Sequence, residues 1–159
     1  MKEQKLSTIL QLTLLSFFGV GYIPFAPGTF GSLATIPLIY LLSFVKVSLI
    51  TLIISIIILF IISSLAAEMI QNLKAVQDPG WIVIDEVLGM LITWAFVFPS
   101  TDPFTLLLAF IFFRFFDIIK IYPANWCDKN IKSGMGTILD DVISGFYAGF
   151  CLILVKYFI

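Results

Sequence analysis

Five apolar runs of membrane-crossing length leave this chain few folds to choose from. At about 20 residues per crossing they fall at roughly 29–45, 48–70, 84–99, 104–122 and 138–158. A backbone in hydrocarbon must satisfy its own polar groups, so runs of this length read as helices. The expected fold is therefore all-α and polytopic. It has about five transmembrane helices in a single membrane-embedded domain, 1–159. A further apolar stretch, 6–20, is broken by Gln11, Thr13 and Ser16 and reads as an interfacial or re-entrant helix. No small-residue cleavage site closes it, so no cleavable leader is expected. Mean hydropathy is +1.10. Charged residues make up 12% of the chain, against about 25% in an ordinary soluble domain.

Against that background the acids stand out. Asp85, Glu86, Asp117, Asp140 and Asp141 lie inside or at the lip of apolar runs. A carboxylate at the bilayer centre costs about 2.5–3.5 kcal/mol on insertion scales, so these residues mark a polar site. Lysines orient the bundle: Lys74 follows the second span, and Lys120, Lys129 and Lys132 follow the fourth. The positive-inside rule makes those loops cytoplasmic. By parity the segments 24–32, 78–86, 114–120 and 134–141 then converge at one membrane face.

Each segment carries suitable chemistry. The turn Asp78-Pro79-Gly80 leads into Asp85-Glu86, adjacent acids that repel unless a cation or proton intervenes. Arg114, Asp117 and Lys120 recur every third residue along one helix stripe. Arg114, the one arginine of the chain, has the planar fork suited to phosphate. Gly134-x-Gly136 opens a loop before Asp140-Asp141 and is expected to offer amides to an anion. Thr29 and Ser32 follow a rigid Pro-Gly turn and are candidate substrate contacts. Gly145 and Gly149 form a spacing that favours close helix packing. The aromatic stretch from Phe110 to Phe116 reads as lipid-facing packing.

Composition also excludes. The chain has no histidine, which removes histidine nucleophiles, triads and metal ligands. Neither cysteine has an arginine six residues on, no D-x-D-x-[TV] element occurs, and the CDP-alcohol phosphotransferase signature is absent. Cys127 and Cys151 read as structural thiols. A net charge of −1 gives no hint of nucleic acid. Acids in excess over Lys and Arg suit a Mg²⁺ held by carboxylates, with the basic groups on phosphate. Asp85, Glu86, Asp140 and Asp141 are the candidate metal ligands, with Arg114 and Lys120 as the phosphate clamp. A cation or proton transporter using the same acids is the rival from another class.

Four ordered pieces carry a resemblance. They are APGTFGSL (26–33), DPGWIVIDEVLGM (78–90), FRFFDIIK (113–120) and SGMGTILDDVISG (133–145). In these the chain resembles the phosphatidylglycerophosphatase A family over nearly its whole length. It departs from the family at Ile121-Tyr122-Pro123 and at Ser133 while keeping the acids. The resemblance implies Mg²⁺-dependent hydrolysis of phosphatidylglycerophosphate in the bacterial inner membrane, with no obligatory protein partner. By motif it implies Asp78, Asp85, Glu86, Asp117, Asp140 and Asp141 as functional acids. A phosphatase for another membrane lipid phosphate is the nearer alternative.

Overall fold

The computed structural model describes residues 2–76 and 79–158. Asp78, an expected site residue, lies outside the described residues. Among those described, every regular element is helical, as the apolar runs require. The helices are α1 (Lys2–Leu15), α2 (Pro27–Phe44), α3 (Leu49–Lys74), α4 (Ile84–Ala95), α5 (Pro103–Ile119), α6 (Ala124–Asn130) and α7 (Gly134–Phe158), with a 3-10 turn at Val20–Tyr22.

Local chemistry sets the ends. Pro27 and Pro103 occupy first-turn positions, where a missing N–H costs nothing. Ser48 and Asp102 cap α3 and α5 by accepting the N–H of Thr51 at 3.1 Å and of Thr105 at 2.8 Å. The hydrogen bonds from Ser100 and Thr105 hold the Asp102 carboxyl below the usual carboxylate range. Lys120 ends α5 in the left-handed region, at φ 48°.

Three helices, α2, α3 and α7, are long and apolar enough to cross a membrane. The runs 84–99 and 104–122 yield shorter helices than their composition predicts: α4 has 12 residues and α5 has 17. At 1.5 Å per residue α4 is only about 18 Å long. The backbone turns over 96–99 even though the side chains there stay apolar. The Trp94 indole N–H donates to the Ser100 carbonyl at 2.8 Å and closes that turn. From Ile84 to Trp94 every residue of α4 except Glu86 is buried. A buried core helix need not match the bilayer, because protein rather than lipid surrounds it.

The N-termini of α2, α4 and α7 and the C-termini of α3 and α5 share one end of the bundle. At the other end Lys156 of α7 meets Ser100 at 3.1 Å and Asp102 at 3.9 Å. A close backbone crossing joins α4 and α7. A Cβ on Gly145 would stand 2.5 Å from the Gly89 carbonyl oxygen and 3.0 Å from its Cα. Thr93 Oγ1 ties the two helices by donating at 2.9 Å to Gly89 O and 3.2 Å to Gly145 O. Phe113 of α5 is fully buried with its ring against Gly89, so this member of the aromatic stretch does not face lipid.

Replacing Gly145 by Ala is expected to force α4 and α7 apart and to destabilise the protein by about 1–3 kcal/mol. Thermal unfolding in detergent measures this; an unchanged midpoint would mean the crossing tolerates a methyl group.

Candidate active site

The site grows out of the first turn of α4. Upstream, the Val83 N–H donates to Leu15 O at 2.9 Å, and Gly21 packs on the Trp81 carbonyl. The end of α1 and the turn after it thus brace the approach to Ile84. Asp85 accepts the Glu86 N–H at 3.1 Å, which satisfies one open amide of the helix start. One turn below Asp85 is Gly89, and one turn below Asp141 is Gly145. The glycine contact therefore brings the faces bearing Asp85 and Asp141 together. One oxygen each from Asp85, Glu86 and Asp141 lies within 4.8 Å of the others. Oxygen–metal distances of about 2.0–2.6 Å make that spacing compatible with one shared hard cation.

Basic groups ring the acids. Arg114 Nη1 donates to Asp117 Oδ2 and stands 3.9 Å from Glu86 Oε1. Lys120 Nζ donates to Asp140 Oδ2 at 2.6 Å and to Asp128 Oδ1 at 3.0 Å. Adjacent residues on a helix point about 100° apart, so Asp141 turns to α4 while Asp140 turns to Lys120. Of the four expected metal ligands, three meet and Asp140 is held by Lys120 instead. Lys120 is correspondingly paired with acids.

Gly134 and Gly136 behave differently from the expectation of open amides. Gly134 N–H is donated to Glu68 Oε2 and Gly136 N–H to Ser133 O at 2.9 Å. A Cβ on Gly136 would collide with Ile131 O. These glycines supply close packing. The Ser32 hydroxyl is buried and donates to Gly28 O at 2.9 Å, so it braces the start of α2. Thr29 sits half-buried in the same turn. Glu68 and Asp128 enter the site region without having been singled out by sequence, and Gly28 of the Pro-Gly turn joins it. A Cβ on Gly28 would strike Glu86 Oε1 and lie 3.2 Å from Arg114 Nη1. The α2 N-terminus, the positive end of its dipole, thus abuts the ion pair. Glu68 had one legible signal, that of an acid in a long apolar helix.

The charges test whether a cation fits. Six carboxylates (Asp85, Glu86, Asp117, Asp128, Asp140, Asp141) face Arg114 and Lys120, a formal excess of four negative charges. Asp85 is 8% and Asp141 4% exposed. Glu86 Oε2 is buried without a hydrogen-bond partner. Buried carboxylates this close need a cation or protons, and an all-oxygen donor set suits a hard divalent ion.

A sequence model of the family described as Phosphatidylglycerophosphatase A matches residues 13–156. The Phosphatidylglycerophosphatase A of Escherichia coli K12 is 37% identical over 131 residues, covering 80% of this chain and 73% of that protein. The Haemophilus influenzae protein of the same name is 35% identical over 156 residues, covering 97% and 94%. A Bacteroides thetaiotaomicron protein named Putative phosphatidylinositol-3-phosphatase is 34% identical over 158 residues, covering 95% and 96%. No solved structure matches the chain.

Replacing Asp85 or Asp141 by Asn is expected to weaken divalent-cation binding by about 10–100-fold or more, since even outer-shell changes cost that much. Mn²⁺ titration followed by paramagnetic resonance reads it. Asp102→Asn, at the far end of the bundle, serves as the control that leaves binding unchanged.

Proposed function

We propose that this acid cluster is the catalytic centre of a lipid phosphatase, on the premise that the chain belongs to the phosphatidylglycerophosphatase A family. The chain is an enzyme that hydrolyses phosphatidylglycerophosphate to phosphatidylglycerol and inorganic phosphate. The observation that carries the site assignment is the convergence of Asp85, Glu86 and Asp141 beside Arg114.

In this reading Asp85, Glu86 and Asp141 would hold Mg²⁺, while Asp140 pairs with Lys120. When bound, the ion would supply Lewis-acid polarisation of the phosphoryl group and activation of water. Arg114 binds the phosphate oxygens; its Nε is buried without a partner and its Nη1 is steered by Asp117. Asp117 would accept the proton of the attacking water and return it to the lipid oxygen as the phosphorus–oxygen bond breaks, so that phosphatidylglycerol leaves as the alcohol. Lys120, anchored by Asp140 and Asp128, adds positive charge at the rim. The first turn of α2, with Thr29, Ser32 and the closely packed Gly28, brings a helix N-terminus to the anion. Gly134 and Gly136 let the first turn of α7 pack closely against its neighbours. The motif position of Asp78 makes it a further acid of this centre.

The whole chain forms one catalytic domain in the bacterial inner membrane, with the site at the cytoplasmic face. Five crossings, α2, α3, α4, α5 and α7, fit this, with α4 enclosed by the others and α1 at the interface. Lys74, Lys120, Lys129 and Lys132 lie towards the site end, and Lys46 and Lys156 towards the other, as the positive-inside rule requires. The Bacteroides relative's name puts a phosphomonoester on a different lipid, so headgroup choice is tested alongside the reaction.

Purified protein is expected to release phosphate from phosphatidylglycerophosphate with Mg²⁺. Release should fall by about 100-fold or more in EDTA or in Asp141→Asn, the scale of removing one key electrostatic group. Phosphatidylinositol 3-phosphate should be a poor substrate. Release that persists in both EDTA and Asp141→Asn sinks the metal–carboxylate reading. For topology, single cysteines replacing Val45 and Asn130 in a cysteine-free background are expected to label from opposite sides. Labelling from one side rejects the five-crossing arrangement.

A further inference from the structure

One polar ridge interrupts the apolar surface of α3. Ser64, Glu68 and Gln71 stand at i, i+4 and i+7, the spacing of a single helix face. That ridge meets the start of α7. Glu68 Oε2 accepts the N–H of Gly134, the first residue of α7, at 2.5 Å. Gln71 Nε2 donates to Thr137 Oγ1 at 2.8 Å, one turn further on. Gly134 rests on the α3 backbone: a Cβ there would stand 2.8 Å from Glu68 Cα and collide with Glu68 N and Ser64 O.

A helix start leaves its first amides without intrahelical partners. Here a carboxylate from another helix supplies the acceptor, and its negative charge matches the positive end of the α7 dipole. Glu68 is not among the three acids whose oxygens cluster. Its contact adds to the register that the Thr93–Gly145 hydrogen bond gives at the crossing of α4 and α7. Glycine against glycine alone fixes how near two helices lie but presents little relief to stop them sliding. A directional hydrogen bond fixes the axial register. A one-residue slip moves a helix by 1.5 Å and turns it by about 100°, enough to take Asp141 off the cluster and replace it with a neighbour.

We propose that Glu68 is a positioning residue for the phosphatase: its hydrogen bond to Gly134 sets where α7 begins against α3. It thereby sets the level at which Asp140 and Asp141 meet Asp85, Glu86 and Lys120. The proposal rests on the catalytic reading above. It differs from a general packing role because it requires an acceptor atom at the end of a side chain of glutamate length.

The test compares Glu68→Ala, Glu68→Asp and Glu68→Gln in the full chain. Phosphate release is measured with Mg²⁺, and amide hydrogen exchange is followed over residues 133–141. Glu68→Ala and the one-methylene-shorter Glu68→Asp are expected to lower kcat by about 100-fold, the cost of a misplacement near 1 Å. KM should stay near its original value, and the amides of 134–137 should exchange faster. Glu68→Gln keeps an acceptor oxygen at the same reach and is expected to restore both kcat and protection. The proposal is overturned if Glu68→Asp matches the parent protein in kcat and exchange. It is equally overturned if Glu68→Gln falls as far as Glu68→Asp, which would make the charge itself the requirement. A parent protein that releases no phosphate sinks the catalytic reading. In that case unchanged exchange in the variants still overturns the Glu68–Gly134 assignment.

Discussion

The crossing of α4 and α7 at Gly89 and Gly145 is the contact on which the site depends. Each glycine lies one helical turn below an acid, Asp85 on α4 and Asp141 on α7. Because no side chain separates the two backbones, the acids above them come within reach of one ion. Membrane helices gain little from hydrophobic association with each other, so close van der Waals approach between small residues is the available adhesive. The same contact that holds the bundle together also sets the distance between carboxylates. Phe113, packed on Gly89 from the third side, brings α5 to the same level and delivers Arg114 to the cluster.

Burial then decides what the acids do. Two carboxylates in a low-dielectric interior repel strongly and lose their hydration. Six of them, counting the less buried Asp128, against two basic groups are stable together only with added positive charge or protons. Arg114 and Lys120 offset part of the excess and divide the acids between them: Arg114 takes Asp117 and approaches Glu86, while Lys120 takes Asp140. That division leaves Asp85, Glu86 and Asp141 as the set with oxygens still directed at one another. Under the proposed function, phosphate binding and metal binding fall to neighbouring but different groups.

Much of this was legible in the sequence, and for local reasons. Acids in apolar runs are costly enough to single out Asp85, Glu86, Asp117, Asp140 and Asp141. Counting crossings put their segments at one end, and the structure brings those segments together. The helical period even contains the separation of Asp140 from Asp141, since neighbours diverge by about 100°. What was not legible depends on partners distant in the chain. The length of α4 is set where Trp94 meets Ser100 and the backbone turns, while hydropathy alone runs on to Phe98. The glycines at 134 and 136 have the look of an anion loop, yet the residues that use their amides include Glu68, 66 positions away. Phe113 sits in an aromatic run with no local mark of the one position that turns inward.

A phosphate on a lipid stays at the membrane surface, whereas the acids that act on it must be shielded from water to exert strong fields. The bundle meets both demands by ending its site helices at the same lip. α4 contributes its first turn, α5 its last, and α7 its second, so the charged groups lie about one or two turns below the helix ends. A helix as short as α4 is an advantage in this arrangement. In the proposed membrane placement its start can lie below the surface, packed against the turn of α2 at Gly28, without its far end passing the opposite face. The short core helix and the recessed acids are therefore one feature, and lengthening α4 would move either the acids or the turn at 96–99 out of place.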